Sequence, residues 1–236
     1  MNKTFLTIAA LLACMTMSGQ PKNVPEPGKQ VEKFVVGNNK MYHKGWIDFN
    51  KNGKKDVYED PKADIDARIE DLLSQMSVDE KTCQMVTLYG YRRVLQDDLP
   101  TPAWKNKLWK DGIANIDEQL NGIGKGARKH PELIYPFSSH AEAINEIQRW
   151  FVEETRLGIP VDFSNEGIHG LNHTKATPLP APIGIGCTWN RDLVYRAGEI
   201  VGREAKALGY TNIYAPILDV ARDPRWGRVL ECYGEE

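Results

Sequence analysis

The sequence predicts an α/β fold built from parallel βα units, and three observations carry the prediction. Two helical stretches each run out at a glycine, Gly158 and Gly209, and each leads directly into a short apolar segment, 159–163 and 211–220. A longer connection rich in turn formers separates the two pairs, which is the rhythm of helices crossing over between parallel strands. The 236 residues, 41% hydrophobic and 26% charged, suffice for one domain with a real core. A net charge of −2 supplies no bulk electrostatic pull toward nucleic acid or a membrane surface.

The N-terminus reads as a processing signal. Lys3 gives a positive start, and residues 5–13 (FLTIAALLA) form an apolar stretch of nine residues. A permanent membrane helix takes about 20. Residues 1–19 are therefore expected to direct export to the periplasm or the cell exterior. Two endings stay open. Leu11-Leu12-Ala13-Cys14 reads as a lipobox that would leave Cys14 lipid-anchored, whereas the small residues near Ser18 and Gly19 suit ordinary cleavage. A polar stretch with Pro21, Pro25 and Pro27 follows, and 20–62 is expected to be linker with one patterned loop inside it. The remaining cysteines, Cys83, Cys187 and Cys232, are odd in number and lack metal-ligand spacing, so they are expected as buried thiols.

The patterned loop is DFNKNGKKDVYE, residues 48–59. Against the twelve-residue calcium loop, Asp48, Asn50, Asn52, Lys54, Asp56 and Glu59 stand at positions 1, 3, 5, 7, 9 and 12, with Gly53 at position 6. Such spacing wraps oxygen ligands around one point. Against it, Lys55 replaces the usual apolar residue at position 8, and Lys51, Lys54 and Lys55 offset the three carboxylates. A weak structural calcium site and a plain Asn-Gly turn both remain open.

Asp60-Pro61 is a helix-start pair, followed by Ile65, Ile69, Leu72, Leu73 and Met76 on one apolar stripe. Ser77 and Glu80 form a capping box for a second short helix through Met85. From 89 to 135 turn formers dominate. The segment 122–126 (GIGKG) lacks the flanking strand, helix and distal acid of a dinucleotide site, so it reads as a loop. Ser139 and Glu142 then cap a helix carrying Ile144, Ile147, Trp150 and Phe151. Asn190 caps another, with Leu193, Ala197, Ile200, Val201 and Leu208 on its inner face and Gly209 in the left-handed position that ends it.

In parallel α/β folds, functional groups gather just beyond the C-terminal ends of strands. Two segments occupy such places: NEGIHG (165–170) and the run 217–236. The second crowds Asp219, Arg222, Asp223, Arg225, Arg228 and Glu231 into one loop. Most of these charges are expected to pair with one another and hold the loop's shape, while a planar guanidinium also suits two adjacent sugar hydroxyls.

Here a resemblance becomes specific. DVARDPRWGRVLECYGE (219–235) resembles the signature loop of family 3 glycoside hydrolases. RLGIPVDFSNEGIHG (156–170), TPLPAPIGIGCTWN (177–190) and IDARIEDLLSQMSVDEKTCQM (65–85) resemble other segments of that family, in the same order. The resemblance implies an incomplete (β/α)8 TIM-type barrel, N-terminal units only, over 63–236. It also implies a retaining exo-β-glucosidase or β-xylosidase acting on β-linked oligosaccharides or aryl glycosides, with no catalytic cofactor. By the same resemblance, Arg228 and Glu166 bind hydroxyls of the sugar at the cleaved end. His169 is either a third contact or a structural histidine. The nucleophile and acid/base are expected beyond Glu236, which would leave this chain without turnover of its own. A non-catalytic exported sugar- or calcium-binding protein is the alternative from another class.

Overall fold

The computed structural model describes residues 40–90, 94–123 and 130–235. The expected export signal, Cys14 and the linker up to residue 39 lie outside the described residues, as do Gly124 and Gly126.

A hairpin of β1 (Tyr42–His43) and β2 (Trp46–Ile47) opens the described chain, followed by helices α1 (Ile65–Gln75) and α2 (Val78–Cys83). Then come β3 (Thr87–Tyr89), β4 (Asn115–Asp117), α3 (Phe137–Glu154), β5 (Asp162–Asn165), α4 (Pro182–Gly186), α5 (Arg191–Leu208) and β6 (Asn212–Ile213). The last four strands form one sheet in the order β3-β4-β5-β6, every pair parallel. Strands adjacent in sequence are adjacent in space and joined by crossovers, which is how the N-terminal units of a TIM-type barrel are laid down.

The two faces of this sheet differ in chemistry. Because side chains alternate along a strand, Ile116 and Phe163 point together to one side. There they join Ile144, Ile147 and Phe151 of α3 and Val201, Ala205 and Leu208 of α5 in the hydrophobic core. Trp104, Trp109 and Trp150 extend that core through edge-on ring contacts. The opposite face is polar. Asn115 donates to Asp162 at 3.0 Å, Ser164 donates to Asp117 at 2.9 Å, and Tyr214 donates to Asn115 at 3.3 Å. A TIM barrel normally fills its interior with branched aliphatic side chains; here the interior face is a hydrogen-bonded network.

Several local expectations are corrected. The first helix begins at Ile65 with Asp64, not Asp60, as its cap, because Asp64 accepts from the N–H groups of Asp66 and Ala67. Its apolar stripe is not buried: Ile65, Ile69 and Leu73 are exposed. Helix α3 starts at Phe137 behind Pro136, with no side-chain cap from Ser139. The strand expected at 159–163 lies at Asp162–Asn165, and the one expected over 211–220 is only Asn212–Ile213. Among the described residues β6 is an edge strand, which is why Leu218 and Val220 face solvent. Only Cys232 of the three thiols is buried. Residues 40–62 fold onto the body rather than acting as linker. Lys51 donates to the carbonyls of Val152 and Thr155 at the end of α3, and Tyr58 donates its N–H to Asp71 on α1.

Candidate functional site

The C-terminal ends of β4, β5 and β6 collect the charged groups. On β5 the ladder runs through Asn165 and releases the chain at Glu166, which is half-buried. The loop that follows folds tightly. Asn172 donates its N–H to the Glu166 carbonyl at 3.1 Å and to the Asn165 side chain at 2.8 Å, and Asn165 returns a bond to the Asn172 carbonyl at 3.1 Å. Gly170 turns at φ +90, and a Cβ there would lie 2.3 Å from the Thr177 carbonyl oxygen, so this close approach requires glycine.

Arg228, in the loop after β6, is exposed and ion-paired with Glu231. Its charge acts on Glu166. Burial lifts the Glu166 carboxyl above its ordinary pKa, Asp117 lifts it further, and Arg228 pulls it back down. The two residues expected to share a sugar thus stand at the same end of the sheet, within electrostatic reach of each other. His169 is exposed on the same loop, near enough to Glu231 to help hold that carboxyl down, behind the larger influence of Arg228. Asp223 and Arg225 pair with each other in the loop, as the charge crowding predicts.

Sequence reasoning missed Asp117 and Glu118. Asp117 closes β4 and Glu118 follows it, within the stretch read as turns and loop, and both are deeply buried, at 3% and 6% exposure. Asp117 accepts from Ser164, and burial raises its pKa. Glu118 accepts from Asn121 at 3.1 Å and from Asn172. The available signal was two successive acids closing a short Ile-containing run, NIDE (115–118), ahead of a glycine turn.

Residues 48–59 form a separate cluster. Asp48 accepts from the N–H groups of Asn52 (3.0 Å) and Gly53 (2.8 Å), while Asn50 and Asn52 donate to Asp56 at 2.5 and 2.7 Å. Glu59 accepts from Phe49 and Asp56 N–H groups at 2.6 and 3.0 Å. Lys54 is exposed, with its N–H on Asn52. All six template residues are therefore joined in one bonded cluster, Lys54 through its main-chain N–H alone. Among the described residues no three His, Cys, Asp or Glu side chains are grouped to hold a metal ion, so a cation here would have to draw on amide and main-chain oxygens as well.

A parallel sheet with crossover helices and charged groups beyond its strand ends is the arrangement of the N-terminal units of a TIM-type barrel of the α/β class. Residues 78–236 match the family described as the glycosyl hydrolase family 3 N terminal domain, and the chain belongs to that family. A putative beta-xylosidase of Formosa agariphila is 31% identical over 179 residues, covering 76% of this chain and 22% of the relative. A periplasmic beta-glucosidase of Salmonella typhimurium is 30% identical over 171 residues, covering 72% and 19%. Among solved structures, a β-glucosidase from Erythrobacter marinus aligns with a TM-score of 0.60 at 26% identity, covering 75% of this chain and 22% of that one. A Listeria innocua β-glucosidase in complex with glucose aligns at 0.52 and 27% identity, covering 71% and 21%. The chain spans about a fifth of the length of these relatives.

Proposed function

We propose that the protein serves the hydrolysis of β-linked glucosides or xylosides as a retaining exo-glycosidase, with Glu166 and Arg228 holding the sugar at the cleaved end. The observation that supports the reading is that Glu166 follows the end of β5 and Arg228 lies in the loop after the neighbouring parallel strand β6, each within electrostatic reach of the other. A carboxylate offers two acceptor oxygens to a vicinal diol, and a guanidinium offers paired donors. In this reading both residues bind and orient the sugar; neither attacks it. Relatives named for glucosidase and for xylosidase activity both support the class, so the two sugars are the ones to compare.

The protein expressed from its complete gene is expected to hydrolyse 4-nitrophenyl β-glucoside or β-xyloside. Glu166→Gln and Arg228→Ala should each lower kcat/KM by about 10- to 100-fold, the loss expected for hydrogen bonds to charged groups. Failure to turn over either glycoside, together with failure to bind either sugar, would overturn the reading.

Export through the segment 1–19 is part of the same proposal, supported by its charge and apolar pattern and by the relative named periplasmic. Among the described residues no helix is long and apolar enough to cross a membrane. Cell fractionation tests export, and labelling with a radioactive fatty acid distinguishes an anchored Cys14 from ordinary cleavage. A weak structural calcium site at Asp48, Asn50, Asn52, Lys54, Asp56 and Glu59 is proposed alongside, supported by the template spacing and by the single cluster these residues form.

A further inference from the structure

Glu118 occupies an unusual position in three respects. It follows directly on β4, yet its N–H continues the sheet by donating to the Ser164 carbonyl of β5 at 2.9 Å. Its backbone adopts φ +55, a left-handed conformation that residues with side chains seldom take and that concentrates at functional sites. Its side chain is buried, a costly place for a carboxyl group unless its oxygens are bonded.

Both oxygens are bonded, and to different loops. One accepts from the amide of Asn121, in its own loop. The other accepts from the amide of Asn172, at the far end of the loop that begins with Glu166. Asn172 in turn donates its N–H to the Glu166 carbonyl and exchanges bonds with Asn165. A parallel tie, Thr174 N–H to the Asn121 carbonyl at 3.0 Å, runs alongside. Glu118 is thus the junction through which the chain beyond β4 grips the chain beyond β5.

We propose that Glu118 is a positioning residue for sugar recognition: its buried carboxyl, bonded to Asn121 and Asn172, fixes the loop 166–172 so that Glu166 faces the sugar. The proposal rests on the sugar-site reading of Glu166. Glu118 acts from inside the protein, its buried carboxyl bonded to the Asn121 and Asn172 amides. Its action passes through Asn172 and the main chain of Glu166. Without the Glu118 carboxyl the loop retains its Asn165–Asn172 bonds and the main-chain tie of Thr174 to Asn121 but loses the side-chain anchor at Asn172, and the Glu166 carboxyl then samples directions that miss the sugar hydroxyls.

The test compares Glu118→Ala, Glu118→Gln, Glu118→Asp and Glu166→Gln in the protein expressed from its complete gene. Dissociation constants for glucose and xylose are measured by calorimetry beside the thermal midpoint. Glu118→Ala should weaken binding by about tenfold or more, a factor of ten being the loss of one good hydrogen bond's worth of alignment. Glu118→Gln can keep an acceptor of the same reach for Asn172 but turns an NH2 donor toward the Asn121 amide and loses that bond, so it should weaken binding by about threefold, less than Ala does. Glu118→Asp, one methylene shorter, should behave like Ala. A residue that merely supports the fold would instead weaken binding in step with the loss of thermal midpoint, whichever side chain replaced it.

Binding by Glu118→Ala as tight as the parent's overturns the proposal, as does equal weakening in the Gln and Asp variants. Should the Ala variant fail to fold, the Gln and Asp pair decides the matter. Weakening by Glu166→Gln with none by the Glu118 variants sinks the positioning role and leaves the sugar-site reading standing. A Glu166→Gln variant that binds like the parent, or a parent that binds neither sugar, removes that reading and the positioning role with it.

Discussion

Ser164 on β5 donates its hydroxyl to Asp117 on β4 at 2.9 Å, and the two residues are register partners in the parallel ladder. This bond leaves a carboxyl group at the mouth of the sheet, one strand away from Glu166. Burial and the neighbouring Asp117 both raise the Glu166 pKa, in that order of size, against the opposing pull of Arg228.

Asp117→Asn should therefore lower the pKa of Glu166. A sugar diol is taken up by the ionised carboxylate, so affinity rises with pH as Glu166 loses its proton. Because the folded pKa is raised, that rise in the parent lies above the ordinary carboxylate range. Removing one negative neighbour shifts it to lower pH. Glucose and xylose affinities measured across pH in both proteins check this; a midpoint that stays put or moves upward contradicts it.

Arg156 clamps Glu80 across the base of the fold. Its Nε donates to one Glu80 oxygen at 2.8 Å, its Nη2 reaches the other oxygen and also the Gln75 carbonyl at 2.8 Å. Burial opposes ionisation of Glu80, but Arg156 and the Ser77 N–H outweigh it, so the carboxyl is held below its ordinary pKa. Arg156→Ala should cost about 1–2 kcal/mol, less than a fully buried pair because the guanidinium is more than half exposed. A depressed carboxyl contributes stability above its unfolded pKa and loses it as pH falls through the folded one. The gap between parent and variant in thermal melts should accordingly close on acidification below the ordinary carboxylate range.

Two glycines should respond in opposite directions. Gly170→Ala places a Cβ against the Thr177 carbonyl at a positive φ and should destabilise by about 1–3 kcal/mol. Gly198 lies inside α5 with nothing within 4 Å of a Cβ, and Gly198→Ala should stabilise by about 0.5–1 kcal/mol through helix propensity. Denaturant melts of the two variants check the pair, and equal signs would show that the loop at Gly170 yields.

What the sequence made legible was local and self-contained. The Ser77–Glu80 capping box is present in both of its bonds, and α5 runs from the Asn190 cap to Gly209 at φ +92 as its pattern predicts. The segments holding Glu166 and Arg228 were marked by their place beyond strand ends, and the family resemblance singled out the two residues within them. Strands β3 and β4 were not, since each has three residues and β4 buries Asn115 and Asp117 on a polar inner face where alternation of apolar and polar predicts nothing. The stripe on α1 misled for the converse reason: an amphipathic pattern states that a face is apolar, not what covers it. The NIDE run could have marked Glu118 as a candidate, but not its role, which depends on Asn172, 54 positions away.

Calcium provides the remaining prediction. Asp48 and Glu59 are buried at 4% and 2% exposure, and the loop they close is attached to both α1 and α3. An ion held there would therefore brace the junction of three segments at once, with no part in sugar binding. With a dissociation constant of about 1 mM, 10 mM calcium would stabilise the fold by about 1.4 kcal/mol. That corresponds to a rise in Tm of about 3–5 °C for a domain of this size. Glu59→Gln retains the shape of the side chain but not its charge, and should abolish the calcium-dependent part of the rise while glucose affinity stays at the parent value. Magnesium, which demands stricter octahedral geometry, should substitute poorly. A parent protein that gives neither heat nor thermal shift at 10 mM calcium would reduce residues 48–59 to an Asn-Gly turn fastened by Lys51 to the end of α3.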